Sequence, residues 1–128
     1  MKIIDASTLL AVLHKEPGAD DARSHIRGSL LSAVNLTEVY QGAIEANVLY
    51  LAKALISAAQ IKVIAFDEVQ AEIAAEIKQR TKGMKLSLAD RACLALGVHK
   101  KGVVVTADQI WDSLGLDLEI VLFRGRLN

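Results

Sequence analysis

The chain of 128 residues carries 15 basic and 15 acidic side chains, so its formal net charge is zero. It therefore lacks the overall basic field that draws nucleic acid to a protein. Its hydrophobic content of 52% argues against intrinsic disorder, and its single cysteine excludes an internal disulfide framework. We expect one domain over residues 1–128. No apolar run is long enough for a signal peptide or a membrane span, which predicts a cytoplasmic protein with no membrane contact.

Short apolar strands alternate with helices along the whole chain. The strands are expected at residues 2–4, 30–34, 61–66, 103–105 and 119–123. The helices are expected at residues 7–13, 20–26, 35–46, 48–59, 67–82 and 88–99, followed by one or two helical turns over 109–114. This alternation predicts an α/β fold of three layers, α/β/α, around a central and mostly parallel sheet of four to five strands.

The most informative stretch runs from Leu86 to Asp108. Ser87 is a good helix N-cap, and Asp90 follows at the spacing of a capping box. The helix is expected to end with Gly102 just beyond its last turn, and residues 103–105 form a short buried strand. Asp90 is thus predicted in the first turn of a helix, and Asp108 just beyond the strand that follows it.

Helical periodicity also predicts which side chains are buried. The helix over 88–99 is expected to be buried, with Leu88, Ala92, Ala95, Leu96 and His99 at helical spacing and Cys93 and Leu94 filling in between them. In two other helices the apolar positions fall on one face: Val48, Leu51, Ala52, Leu55, Ile56 and Ala59; and Val69, Ile73 and Ile77. Cys93 is expected to pack as a small hydrophobic residue, and Trp111 to fill the core.

Four acids follow a strand or open a helix: Asp5, Glu38, Asp90 and Asp108. In a parallel sheet the carboxyl ends of strands and the amino ends of helices share one edge, where ligands bind. We therefore expect these carboxylates to meet there. Each has an alternative explanation, since acids are favoured at helix N-termini; Glu38, for example, has the capping-box spacing from Asn35. Asp67 serves as a comparison because capping with Gln70 explains it fully.

A cluster of carboxylates must protonate or bind a cation. Oxygen ligands without His or Cys select hard ions, Mg²⁺ or Mn²⁺. Such an ion suits phosphodiester hydrolysis, because it polarises the phosphate and activates an attacking water. The pattern therefore suggests a metal-dependent nuclease.

The chain also resembles the PIN-domain ribonucleases, and among them the VapC-type toxins of bacterial toxin–antitoxin pairs. The resemblance rests on the runs IIDAS (3–7), SAVNLTEVYQG (32–42), LSLADRACLALG (86–97) and VVVTADQIW (103–111). It implies a PIN-like fold, a Mg²⁺ or Mn²⁺ cofactor, an RNA substrate, a homodimer and a cognate antitoxin. By the same likeness Asp5, Glu38, Asp90 and Asp108 are the catalytic metal-site residues, with Ser7 and Thr106 as supporting hydroxyl groups.

Other interpretations of the sequence remain open. The acids could be structural caps in a catalytically silent PIN-like module that binds RNA or protein. A phospho-accepting receiver domain is disfavoured, because no lysine follows a strand in the required way. Four cations, Lys78, Arg80, Lys82 and Lys85, suit either a solvated helix end or a rim that contacts RNA phosphates. Arg91, next to Asp90, could neutralise the acids or contact phosphate.

Overall fold

The computed structural model describes residues 1–124. The elements, in chain order, are β1 (Lys2–Ile4), α1 (Ala6–Leu13), α2 (Ala19–Ile26), β2 (Leu30–Ser32), α3 (Ala33–Glu45), α4 (Leu49–Ala58), β3 (Lys62–Ile64), α5 (Glu68–Arg80), α6 (Leu88–Lys100), β4 (Val103–Thr106), a 3₁₀ helix (Gln109–Ser113) and β5 (Ile120–Leu122). Among the described helices, none has both the length and the apolar character needed to cross a bilayer.

The five strands form one parallel sheet in the order β3-β2-β1-β4-β5. The predicted α/β fold with a central sheet is therefore confirmed. From β1 the chain continues to β2 on one side, whereas from β4 it continues to β5 on the other. The order of the strands thus reverses between β1 and β4. In open α/β sheets, ligands bind outside the carboxyl ends of the strands at such a reversal.

Successive residues of each central strand point to opposite faces of the sheet. Ile4, Leu31 and Val105 pack on one face with α1 to α4, and Ile3, Leu30 and Val104 pack on the other with α5 and α6. The sheet is therefore covered on both faces, as its nearly continuous apolar strands require.

The central residues of helix α6 are buried on every side of the helix. Its six residues from Ala92 to Gly97 are all buried, whereas Leu88 is 55% exposed and His99 is exposed. The predicted buried helix is confirmed over these residues, because α6 contacts α3, α5 and three strands of the sheet. The expected burial of Leu88 and His99, near the two ends of the helix, was wrong. Cys93 and Trp111 are buried as predicted.

The two predicted faces are confirmed in part. Of the face over 48–59, Ala52 and Ala59 are buried and Val48, Leu55 and Ile56 pack against the core, whereas Leu51 is exposed. In α5 the buried row is Gln70, Ala74 and Ile77, and Val69 is exposed. The Gln70 amide nitrogen donates to the Ala65 carbonyl at 3.0 Å, which turns this side of α5 inward.

Helix α3 begins earlier than the sequence suggests. Strand β2 ends at Ser32, whose hydroxyl accepts a hydrogen bond from the Val34 amide at 3.3 Å and caps the helix. Asn35 therefore lies in the first turn instead of at the cap, and the predicted strand over 30–34 was too long. The predicted capping box of Asn35 and Glu38 is accordingly wrong.

Close packing explains why glycine occupies position 97, in the last turn of α6, and position 102, directly before β4. Gly102 is not the left-handed residue after α6; Lys101 takes that conformation, with φ of 54°. A Cβ on Gly102 would lie 2.4 Å from the Ile3 Cδ1 atom and 2.9 Å from the Met1 carbonyl oxygen. A Cβ on Gly97 would lie 2.5 Å from the Val104 Cγ2 atom. Both glycines thus let α6 and β4 approach their neighbours.

Gly97→Ala should lower the free energy of unfolding by about 1–3 kcal/mol, because the added methyl group overpacks the contact with Val104. Helix propensity alone predicts the opposite, a gain of roughly 1 kcal/mol. Urea denaturation measures the difference. Adding Val104→Ala should recover part of the loss, and a stabilised Gly97→Ala protein would contradict the packing argument.

Candidate functional site

A cavity of about 270 Å³ opens at the carboxyl edge of the sheet. It is lined by Asp5, Ala6, Ser7, Leu10, Asn35, Glu38, Asp90 and Asp108. We call it the acidic pocket. It brings together all four acids that the sequence selected, from four separate segments of the chain. Thr106, the other supporting residue, bonds to Asp5 behind it.

Asp5 is the most tightly held of the four acids. It is 7% exposed and caps α1, where its Oδ1 atom accepts hydrogen bonds from the Ser7 hydroxyl, the Thr8 amide and the Thr8 hydroxyl at 2.7, 3.1 and 3.0 Å. Its Oδ2 atom accepts a bond from the Thr106 hydroxyl at 2.6 Å. Burial raises the pKa of Asp5, and these hydrogen bonds oppose that shift by favouring the carboxylate.

The hydroxyl groups of Ser7 and Thr106 also connect β1 to the loop after β4. The Ser7 oxygen accepts a hydrogen bond from the Ala107 amide at 3.1 Å, and the Thr106 oxygen accepts one from the Asp108 amide at 3.0 Å. Each hydroxyl therefore donates to Asp5 while it accepts from the backbone beside Asp108. This arrangement fixes the first acid relative to the segment that carries the last.

Asp90 and Asp108 also cap helices. The Asp90 Oδ2 atom accepts a bond from the Ser87 amide at 2.9 Å, and the Ser87 hydroxyl accepts one from the Asp90 amide at 3.0 Å. The predicted capping box is confirmed. The Asp108 Oδ1 atom accepts a bond from the Ile110 amide at 3.0 Å. Asp67 makes the same kind of cap with Gln70 but does not line the acidic pocket.

Glu38 has no capping role. It lies beyond the first turn of α3, and its one hydrogen bond in the described structure comes from the Asn35 amide nitrogen at 3.4 Å. Desolvation by partial burial raises the pKa of Glu38, and repulsion from Asp90 and Asp5 raises it further, against the lowering effect of the Asn35 bond. The alternative explanation of Glu38 as a cap is therefore removed.

Asn35 is the pocket residue that the sequence analysis missed. It is 1% exposed, and its amide nitrogen donates to the Ala89 carbonyl at 3.0 Å. Its buried amide oxygen has no hydrogen-bond partner among the described residues. The only sequence signal was a polar residue three positions before Glu38, which a helix cap explained equally well.

None of the basic side chains that the structure describes lines the acidic pocket. The Arg91 side chain points elsewhere: it donates to the Ala74 carbonyl at 3.3 Å and lines a separate cavity of about 210 Å³ with Lys78 and Lys82. Within residues 1–124, no three His, Cys, Asp or Glu side chains are grouped in a way that could hold a metal ion as they stand. The carboxylates share a pocket without forming a closed cage.

Behind the pocket lies the Cys93 thiol. Burial raises its pKa well above the usual value, and the carboxylates of Asp5, Asp90 and Glu38 raise it further. Cys93 is therefore a neutral part of the core, as predicted.

The family model of the PIN domain matches residues 2–115. The chain belongs to the PIN-domain family. A search of curated protein sequences gives no match. Solved structures of low sequence identity share the fold of this PIN domain across almost its entire length.

A toxin–antitoxin complex from Klebsiella pneumoniae contains a chain with a TM-score of 0.80 and 19% identity, covering 96% of this PIN domain and 98% of that chain. A chain of VapBC2 from Rickettsia felis, bound to a DNA fragment from its promoter, has a TM-score of 0.77 and 13% identity. The match covers 94% of this PIN domain and 97% of that chain. VapC20 from Mycobacterium tuberculosis, described as a toxin that cleaves the sarcin-ricin loop, has a TM-score of 0.75 and 16% identity. The match covers 91% of this PIN domain and 96% of that chain. At these identities the likeness establishes the fold.

Glu38→Gln should raise the melting temperature of the metal-free PIN domain at neutral pH, because it removes repulsion with Asp90 and Asp5. The folded state raises the pKa of Glu38, so ionisation destabilises the fold. This cost is absent below the ordinary glutamate pKa and develops as the pH rises through the raised value. The variant and wild type should therefore converge at acidic pH.

Thermal unfolding in chelator across this pH range tests the effect. Glu45→Gln, in the last turn of the same helix and outside the acidic pocket, is the matched control. Equal pH dependence in Glu38→Gln and wild type would show that the pocket acids do not repel Glu38.

Proposed function

We propose that this PIN-domain protein is a metal-dependent endoribonuclease, the toxin of a toxin–antitoxin pair. One observation carries the proposal: Asp5, Glu38, Asp90 and Asp108 line one pocket, and no basic side chain within residues 1–124 lines it with them. Local caps require an acid at one helix at a time and do not require four of them to face each other. The resemblance to the VapC-type toxins and the membership of the PIN family support the same function.

The donor set fits a hard divalent cation, Mg²⁺ or Mn²⁺. The pocket offers carboxylate, hydroxyl and amide oxygens and no His or Cys ligand. Bringing the carboxylates closer requires mainly movement of Glu38, whose side chain is exposed and held by one long hydrogen bond. When bound, the cation supplies a Lewis acid that polarises phosphate and makes water more acidic.

The four acids of the pocket fall into two proposed roles in metal binding. Asp5 and Asp90 are direct metal ligands, each oriented by hydrogen bonds within its own cap. Glu38 and Asp108 hold a second ion or orient the attacking water. Ser7 and Thr106 support the first site by fixing the Asp5 carboxylate, as outer partners of metal ligands do.

RNA is the proposed substrate, and water the nucleophile. The pocket contains no Ser–His or Cys–His pair that could form a covalent intermediate. With zero net charge on the chain and four acids in the pocket, the phosphate group must bind through the cation. The cavity of Lys78, Lys82 and Arg91 offers a basic surface for other phosphates of the chain.

An antitoxin and a second copy of the chain are the proposed protein partners. Large apolar side chains on α3 and α4 are exposed, with Ile44 at 61%, Tyr50 at 70% and Leu51 at 43%. Exposed apolar patches commonly mark protein interfaces. The antitoxin segment that covers the acidic pocket is expected to place a positively charged group of its own among the carboxylates.

A catalytically silent binding module is the second candidate. Its support is that Asp5, Asp90 and Asp108 each accept a bond from a helix N-terminal amide, so three of the acids have structural uses. This candidate predicts no saturable binding of Mn²⁺, and calorimetric titration separates it from the nuclease.

Asp90→Asn should reduce Mg²⁺-dependent RNA cleavage by more than about 100-fold, because it removes a charged ligand of the cation. The amide oxygen can still accept the Ser87 bond, so the fold should persist. Cleavage assays on several RNA classes, with circular dichroism of the variant, give the measurement.

Asp67→Asn is the matched control, since Asp67 also caps a helix but lies outside the pocket; its cleavage rate should equal that of wild type. Full activity of Asp90→Asn, or undiminished cleavage by wild type in excess chelator, would contradict the proposal.

Co-expression with the product of the neighbouring reading frame should give a stable complex that elutes ahead of the free chain in size-exclusion chromatography. The complex should cleave RNA more slowly than the free protein, because the partner covers the acidic pocket. Elution of the chain alone in every case would count against an antitoxin encoded there.

A further inference from the structure

The remaining question in the acidic pocket is why a neutral amide is buried among four acids. Asn35 is 1% exposed, and its amide nitrogen makes both of its hydrogen bonds within the pocket wall: to the Ala89 carbonyl at 3.0 Å and to the Glu38 Oε1 atom at 3.4 Å. Ala89 directly precedes Asp90 in the first turn of α6. One amide group therefore connects the segments that carry two of the acids.

The orientation of the Asn35 amide follows from these partners. Exchanging its nitrogen and oxygen would place the amide oxygen against the Ala89 carbonyl oxygen and the Glu38 carboxylate, three acceptors without a donor. The Oδ1 atom is thus fixed on the other side of the group, buried and without a partner in the described structure. A buried acceptor without a hydrogen bond is costly, so the contacts of the amide nitrogen are what hold this orientation.

We propose that Asn35 is a positioning residue for the cation: its amide nitrogen donates to both Glu38 and the Ala89 carbonyl, and so holds the Glu38 carboxylate beside the segment that carries Asp90. This inference rests on the proposed metal-dependent function. It gives Asn35 a role in metal affinity, as the outer partners of metal ligands have in other proteins.

Gln70 provides a close internal control. It is also 1% exposed, its amide nitrogen donates to the Ala65 carbonyl at 3.0 Å, and its buried Oε1 atom also lacks a partner. Gln70 does not line the acidic pocket. The two amides therefore have matching structural roles, and they differ in whether they lie beside the four acids.

The test compares Asn35→Leu and Gln70→Met, which replace each amide by an apolar side chain of similar size. Calorimetric titration with Mn²⁺ measures the dissociation constant, and thermal unfolding in chelator measures the stability of the metal-free protein. Both variants should melt below wild type. Asn35→Leu should raise the Mn²⁺ dissociation constant about tenfold, whereas Gln70→Met should leave it unchanged.

Equal Mn²⁺ affinity in Asn35→Leu and wild type would overturn this inference and leave the proposed function intact. A similar loss of affinity in Gln70→Met would also overturn it, because the effect would then follow from lost stability alone. If wild type shows no saturable Mn²⁺ binding, the proposed function itself fails. Should Asn35→Leu fail to fold, Asn35→Ala, which leaves space for water beside the Ala89 carbonyl, takes its place with the same expected loss of affinity.

Discussion

Repulsion between carboxylates is the interaction on which the site depends. Asp5, Glu38, Asp90 and Asp108 line a single cavity, and among the described residues no basic side chain joins them there. The protein tolerates this arrangement because backbone amides and hydroxyl groups stabilise three of the acids, and because Glu38 remains exposed to water. The same features leave the pocket with an excess of negative charge, and a divalent cation would neutralise it. At neutral pH, the repulsion that favours cation binding therefore lowers the stability of the metal-free fold.

The features that the sequence predicted well depend on neighbours along the chain. The alternation of strands and helices follows from local periodicity, and the caps at Ser87 and Asp67 follow from residues three positions apart. The convergence of the four acids could also be predicted, because parallel strands place their carboxyl ends at one edge. For these elements the local preference and the tertiary structure agree.

The features that it predicted poorly depend on contacts between distant segments. Leu51, Val69 and Leu88 are exposed although helical periodicity placed each on a buried row, because burial there depends on which neighbours pack against α4, α5 and α6. Asn35 fits a helix cap locally, yet its strongest hydrogen bond goes to Ala89, 54 residues away. Gly102 resembles a helix terminator, but the Ile3 side chain and the Met1 carbonyl are what exclude a side chain there.

The pairing of β1 with β4 also has a consequence for when the pocket forms. Residues of β1 at the start of the chain pair with residues from 103 onward, and Thr106 bonds to Asp5 across 101 positions. A chain truncated before β4 would retain Asp5, Glu38 and Asp90 but would lack both the central partner of β1 and Asp108. The pocket is therefore completed only after Asp108 has been synthesised, so a nascent chain that ends before β4 does not contain it.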